Sequence, residues 1–357
     1  MMDDEHEEIG PEGIRLTNTF EAVNEMMYKT GMTDGLPIVP PTPERLERFL
    51  KETKRKSADV VAAIPPKNGM ATVEKIAINA VMAGCPARTL PVVIAAVAAM
   101  SQEPFNLLGI QTTTGTASVG LILNGPHAMG MGFSGGAGAL GAWNRANASV
   151  GRAVHLILLN IGGATPADID MATLGWPGKF TFCFAENEMK SPWSPLHVER
   201  GFHRDESTVT VIGAAGIVEM VDTASNSAES ILTTMASSMT IAGTTGVECI
   251  MGGGEPLLIV TPEHAHLLAR DGFNKAEVKR FLYEHARLPL SRLGKDSRAR
   301  VKTLRERLGV ADVDADLRVA HRAEDIMLVV VGGIGFKSAY VPTWPGGTTS
   351  VTVRVEK

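Results

Sequence analysis

The residues of this chain whose types could do chemistry are three cysteines, one segment rich in histidine and glutamate, and two glycine-bearing loops. Cys85 comes first. It stands in "VMAGCPARTLPVVIAAVAAM" (81–100), which reads helix, break, helix. Pro86 or Pro91 suits the first turn of the second helix, where a missing N–H costs no hydrogen bond. With Pro86 there, the Cys85 sulfur would face free N–H groups and the positive end of a helix dipole. Such a setting lowers a thiol pKa from about 8.5 and populates the thiolate. Gly84 would leave room for a ligand. The competing reading is a structural cysteine buried between two apolar helices. Cys183, in "FTFCFAE", alternates with aromatics as a core strand residue does, and Cys249, beside "IMGGGEP", suits core or site.

The second feature is "AENEMKSPWSPLHVERGFH", which holds Glu186, Glu188, His197, Glu199, Arg200 and His203. A histidine with carboxylates can act as general base and general acid. His197 and Glu199 on a strand would share a face and, with His203, could ligate a divalent metal, although the spacing matches no established metal signature. The bland reading is a solvated loop with ion pairs among Arg200, Arg204 and Asp205.

The loops "TTTGTAS" (112–118) and "MGGGEP" (251–256) come third. Backbone N–H groups at Gly252, Gly253 and Gly254, with Glu255 beside them, suit a carboxylate or oxyanion, and the hydroxyls of Thr113 and Thr114 stand at the corresponding place. No GxxxxGK[ST] is present, and "GFSGGAG" lacks the spacing of a dinucleotide fingerprint. Arg145 and Asn147, at the start of a long helix, could orient an anionic substrate through a forked contact. His155, deeper in that helix among Leu and Ile, reads as a satisfied core residue.

The elements that must position these groups follow from periodicity and punctuation. Two helices open the chain, with Thr19 as a cap and Gly31 as a stop, and "TDGLPIVPP" joins them as a rigid connector. The body starts at "DVVAAIPP". Strands are expected at "LGIQTTT" and "VGLILN", a long helix from about Asn144 to Asn160, and later strands at "DIMLVVVGG" and "TTSVTVRVEK". "GIQTTTGTASVGLILNGPHA" (109–128) aligns without a gap on "GVECIMGGGEPLLIVTPEHA" (246–265), at an offset of 137. The identities include Leu121/Leu258, Ile122/Ile259 and His127/His264.

The expected fold is therefore α/β, with two pseudo-repeated α/β units (about 72–132 and 226–272) sharing a central cleft. The expected division is a tail and helical extension over 1–57, a first α/β unit over 58–206 with an irregular segment at 162–206, and a second unit over 207–357.

Composition bounds the function. The chain has 357 residues, is 44% hydrophobic and 20% charged, and carries a formal net charge of −5, which argues against a nucleic-acid partner. Its longest apolar run, near 90–100, is too short for a bilayer, and the acidic N-terminus fits neither a signal nor a transit peptide. An odd number of cysteines without CxxC spacing points to a reducing cytoplasm. Long apolar helices with modest charge suit a homo-oligomer.

"AGCP…LPVVIAAVAAM", "RANASVGRAVHLILLNIGGA", "ENE…SPW.PLHVERG" and "PEHAHLLARDGFNKAEVKRFL" together make the chain, from Asp34 onward, resemble a widespread group of bacterial proteins associated with the UGSC-type (seleno)proteins. It departs from that group in having no Cys-Gly-Ser-Cys run. The resemblance implies an intact catalytic-type protein.

The sequence expectation is an enzyme, of hydrolase or lyase type, cleaving a carbon–heteroatom bond of a small polar or anionic molecule. Cys85 would be the thiolate nucleophile, and His197 or Glu199 would move protons. Thr113, Thr114, Arg145, Asn147, Gly252, Gly253, Gly254 and Glu255 would bind substrate, and no cofactor is called for. The alternatives are a metal-dependent hydrolase or lyase using His197, Glu199 and His203, a non-catalytic small-molecule binding protein, and a thiol redox enzyme.

Overall fold

Apolar runs bounded by glycine, proline or a capping residue become the strands and helices of a mixed α/β protein. The computed structural model describes residues 8–10, 13–15, 19–244 and 254–356. In chain order, a hairpin of β1 (Glu8–Gly10) and β2 (Gly13–Arg15) precedes α1 (Phe20–Lys29) and α2 (Pro43–Leu50). A second hairpin, β3 (Val60–Ile64) with β4 (Gly69–Thr72), leads to α3 (Val73–Met82), α4 (Leu90–Met100) and α5 (Leu107–Thr112). Then come β5 (Ser118–Asn124), α6 (Pro126–Gly130), α7 (Arg145–Asn160), β6 (Cys183–Ala185), α8 (Leu196–Glu199), β7 (Thr208–Ala214), β8 (Val218–Val221) and α9 (Ala228–Met239). Beyond Gly254 follow β9 (Leu257–Val260), α10 (Pro262–Arg270), α11 (Lys275–His285) and β10 (Arg287–Leu288). The chain ends with α12 (Lys295–Arg307), β11 (Leu317–Arg318), β12 (Met327–Val330), β13 (Lys337–Val341) and β14 (Val351–Arg354).

Caps set several boundaries as the sequence predicts. Thr19 Oγ1 accepts from Ala22 N at 3.2 Å, and Asn144 Oδ1 accepts from Asn147 N at 2.9 Å. "LGIQTTT" departs from expectation. It is mostly helical, because Asn106 in the left-handed region (φ 49°) reverses the chain and caps α5 through Gly109 N.

Two four-stranded sheets form, ordered β14-β7-β5-β6 and β12-β9-β13-β8. Each contains one parallel pair, β5 with β6 and β9 with β12, and two antiparallel pairs. Strand alternation then builds four layers. Val119, Leu121 and Leu123 of β5 face α3, α4 and α7, whereas Ile122 faces the other sheet. In the second sheet, Leu258 and Val260 face α9, α10 and α11, whereas Leu257 and Ile259 meet the first sheet. Burial on both faces explains why these strands read as unbroken apolar runs. Phe182, Phe184, Ile212, Met327, Val329 and Val341 fill the space between the sheets, each fully buried side chain stabilising by roughly 1.5–3 kcal/mol. Core side chains fill the space between the sheets, and two cavities lie at the two ends of β5.

The sheets also exchange edge strands. β7 belongs to the first sheet and β8, which follows it, to the second; β13 belongs to the second and β14 to the first. The two crossings run against each other, with Ala215 N donating to Pro342 O at 2.8 Å and Trp344 N to Gly213 O at 2.8 Å. A division at 206/207 therefore does not fall between the sheets. No single helix among the described residues is long and apolar enough to cross a membrane.

Candidate functional site

The most concentrated chemistry stands where β5 and β6 end side by side, because the backbone pins both exits. Glu186 N extends the parallel ladder to Leu123 O at 3.0 Å, and Asn187 N reaches across to Val330 O of the second sheet at 2.7 Å. After Asn124 the chain turns at Gly125 (φ 88°), where an added Cβ would stand 2.2 Å from Glu206 O, so only glycine fits. The 134–136 loop comes equally close: a Cβ on Gly135 would stand 2.3 Å from Ala185 O. The glycine-rich stretch thus allows backbone to approach the strand end.

Asn124 organises the acids. Its Nδ2 donates to Glu186 Oε2 at 2.7 Å and to Glu188 Oε1 at 3.0 Å. Glu188 Oε1 also accepts from Gly125 N at 2.7 Å, and Glu186 Oε2 from Leu196 N, at the start of α8, at 2.8 Å. Behind Glu188 lies the fully buried His197, its Nδ1 3.8 Å from Glu188 Oε1 and its Nε2 3.4 Å from Arg204 O. Behind Glu186 lies Lys275 of α11, 6% exposed, whose Nζ is 3.7 Å from Glu186 Oε1 and donates to Glu199 Oε2 at 2.9 Å. Lys279 adds a second contact to Glu199 at 3.1 Å.

Four sealed polar atoms here have no hydrogen-bond partner: Asn124 Oδ1, Glu186 Oε1, His197 Nδ1 and Thr208 Oγ1. Such atoms are uncommon in folded proteins and costly to keep. Burial pushes the Glu186 carboxyl above the usual range, with Glu188 adding to the rise, while Lys275, Leu196 N and Asn124 pull it down. A cavity of about 390 Å³ opens on this wall, lined by Gly125, Ser134, Gly135, Gly136, Glu186, Asn187, Glu188, Arg204 and Asp205 among others.

Several expected site residues stand elsewhere. Cys85 stands between the end of α3 and a 3-10 turn (Ala87–Thr89, with Pro86 as its N-cap) that runs into α4. Gly84 (φ 80°) ends α3, with Gly84 N bonding Val81 O and Cys85 N bonding Ala80 O at 3.0 Å. That is the Schellman arrangement, which places Cys85 at the negative end of α3. Pro91, not Pro86, occupies the first turn of α4. The thiol is 4% exposed, donates to Ser149 O at 3.2 Å, and is pushed up to about 12 by burial. It is a protonated core thiol, and the nucleophile reading is corrected accordingly. Cys183 is buried on β6 as expected, and Cys249 lies outside the described residues.

Arg145 Nε donates to Gly84 O at 3.0 Å, which ties α7 to the end of α3. Asn147 is buried and fully engaged with Ser134 and Ala139, shaping the glycine loop from behind. Thr113 Oγ1 accepts from Gly115 N within its own turn, and the Thr114 backbone carbonyl accepts from Thr173 N of a distant segment. Gly252 and Gly253 lie outside the described residues. Gly254 stands against Thr343 and Trp344, and Glu255 accepts from Ser350 N at 2.5 Å, beside Arg200, which donates to Ser350 Oγ at 2.7 Å.

The metal alternative meets a geometric obstacle. Residues 196–199 form a helical turn, not a strand, so His197 and Glu199 do not share a face. Glu199 is held by two lysines, and the exposed His203 sits 3.4 Å from Asp205. No cluster of three His, Cys, Asp or Glu suited to a metal exists among the described residues.

The segment 186–203 is therefore the one that reaches the site, through Glu186, Glu188 and His197. Asn124 and Lys275 were missed; Asn124 carried a signal, since a strand ending in Asn-Gly marks a chain reversal. Neither protein-family models nor curated proteins match this chain.

Proposed function

We propose that the chain is an enzyme that cleaves a carbon–heteroatom bond of a small polar or anionic molecule by general acid–base catalysis, in hydrolysis or elimination. One observation carries the reading: a single buried amide, Asn124 Nδ2, holds two carboxylates at the exits of a parallel strand pair, on the wall of a cavity. The carboxyl end of parallel strands is where open α/β sheets bind ligands. Glu188, 21% exposed at its side chain, is the group that meets substrate and takes the proton, with His197 behind it. Glu186, sealed and pushed toward its protonated form, fixes the Asn124 amide and stands as a proton reserve. The exposed guanidinium of Arg204 on the cavity wall suits an anionic substrate.

The test is turnover and solvent-deuterium exchange on a panel of short hydroxy and amino acids and their amides, followed by NMR in D2O. Glu188→Gln is expected to lower the rate by about 10²–10⁴-fold with the fold intact. Undiminished turnover in that variant would end this assignment.

The fold reading extends to a duplicated unit, in which β5 corresponds to β9, β6 to β12 and β7 to β13. It is supported by register. Cys183, Leu121, Val211 and Val351 form one row across the first sheet; Leu328, Leu258, Tyr340 and Val218 form the same row across the second. Leu121 and Leu258, which the sequence alignment pairs at an offset of 137, hold the corresponding places in these two rows.

A further inference from the structure

A third cavity, of about 330 Å³, lies between α8, α11 and the turn that leads into β12, and none of Asn124, Glu186, Glu188, His197 or Arg204 lines it. Part of its wall is apolar, from Ala276, Ala323 and Met327. Arg200 gives it a chemistry. The half-buried guanidinium is clamped by β14 and the residue before it. Nη1 donates to Thr352 Oγ1 at 3.0 Å and to Ser350 O at 3.4 Å, and Nη2 donates to Ser350 Oγ at 2.7 Å. A guanidinium carries five N–H donors in one plane. The clamp uses both on Nη1 and one on Nη2, which leaves Nε–H and the second Nη2–H. With Ser350 across the Nη1–Nη2 end, those two lie parallel along the other edge, the fork that meets a carboxylate. Nε has no hydrogen-bond partner among the described residues and is not a sealed atom, so a ligand in the cavity can reach it.

The charge of Arg200 is as little used as its donors. Among the described residues no carboxylate forms an ion pair with it, and Glu255 reaches it only through Ser350 Oγ, which bonds both. Burial lowers the Arg200 pKa from its ordinary value, against Glu255 and Glu199, and the group remains a cation at neutral pH. Lys279 stands on the same wall and shares Glu199 with Lys275. Glu199 and the exposed Glu324, also on that wall, set a limit on the occupant. One negative charge finds the guanidinium, and a second would face carboxylates.

We infer that this cavity is a second small-molecule site, taking a small aliphatic monocarboxylate whose carboxylate meets the open edge of Arg200 and whose hydrocarbon body lies on Ala276, Ala323 and Met327. A forked pair with a guanidinium fixes the orientation, and the volume is in the range of small-ligand pockets.

Butyrate, butyramide, succinate and inorganic phosphate separate the components of this site. Butyrate should bind the full-length protein saturably and raise its Tm. Butyramide, of the same shape without the charge, should bind at least about tenfold more weakly, the size of one charge-assisted hydrogen bond. Succinate and phosphate should both be weaker than butyrate. In the wild-type protein the Arg200 Nε–H signal should shift on butyrate addition, which requires no variant to fold. Ala276→Phe, which fills the cavity from an exposed position on α11, should abolish binding with the circular dichroism unchanged. Arg204→Gln, at the acid–base site, should bind butyrate as the wild type does. Equal affinity for butyramide, tighter binding of succinate or phosphate, an unmoved Arg200 signal in the butyrate-bound protein, undiminished binding to Ala276→Phe, loss of binding in Arg204→Gln, or no saturable binding at millimolar butyrate would each overturn the inference.

Discussion

The two parallel strand pairs share a register and differ in what they carry beyond it. In the first sheet Glu186 N donates to Leu123 O; in the second, Val331 N donates to Val260 O at 3.0 Å. Glu186, Asn187 and Glu188 therefore stand where Val331, Gly332 and Gly333 stand, and Asn124 stands where Thr261 does. The scaffold is indifferent to that choice, because the ladder uses only backbone. What makes the carboxylates tolerable in the first sheet is a set of partners from elsewhere: Asn124, the N-terminus of α8, and Lys275 from the helix layer of the second sheet. The carboxylates stand on the first sheet, and the second sheet with its helix layer supplies a cation and backbone acceptors. The largest effect should come from forcing the pairs to match. Val331→Glu would bury a carboxylate without the Lys275 and Asn124 that receive Glu186, and the expected loss is about 4 kcal/mol or more by urea denaturation. A loss under about 1 kcal/mol would mean that the partners in the first sheet are incidental.

Lys275 sharpens the same contrast from the other side. Lys275→Met leaves Glu186 sealed without its cation, and the expected cost is about 3 kcal/mol. Adding Glu186→Gln should return most of it, since a neutral amide no longer needs the ammonium. If the double variant is no better than the single, Lys275 stabilises through Glu199 alone. The pH dependence has a fixed sign. The folded-state pKa of Glu186 lies above its unfolded value, so its contribution to stability is complete below the ordinary carboxylate range and is lost as pH rises through the folded value. Glu186→Gln should flatten that loss.

Much of this frame was legible in the sequence because strand and helix periods are local properties. β5, β6 and β12 stand out as apolar runs, and α7 starts at a capping Asn. Position in the interior was not legible. Lys275 looks like an ordinary first-turn lysine of a surface helix until α11 is laid against α8, and Gln111 belongs to a stretch whose β-branched residues suggested a strand. Cys85 was misplaced for a reason the sequence did carry: a glycine directly after an apolar helix is a stop signal. Gly84 therefore marks the end of α3, and Pro86 caps only the short 3-10 turn that leads into α4.

The far end of the first sheet offers a smaller test in acid. His155 is neutral in the fold down to about 4, against an ordinary value of 6.5. Its contribution is present above pH 6.5 and is lost as pH falls from there toward 4, roughly 3 kcal/mol over the window. His155→Phe should remove that segment of the pH–stability curve and leave the carboxylate end untouched. An unchanged curve would mean that the ring takes a proton freely and the cavity at this end of β5 is open to water.

The smallest expected effect is at Cys85, and it separates the buried thiol from the exposed chemistry. Its folded value near 12 exceeds the ordinary 9.0, so the stability it adds is complete below pH 9 and is lost only as pH climbs toward 12. At neutral pH the native thiol should resist iodoacetamide while the urea-unfolded chain reacts fully, because the thiolate is the reacting form. Cys85→Ala should cost about 1 kcal/mol, the loss of a small buried group and one weak bond to Ser149 O, and leave turnover unchanged. Rapid alkylation of the native protein at Cys85, with turnover lost in step, would return the nucleophile to the end of α3 and displace Glu188 from the centre of the mechanism.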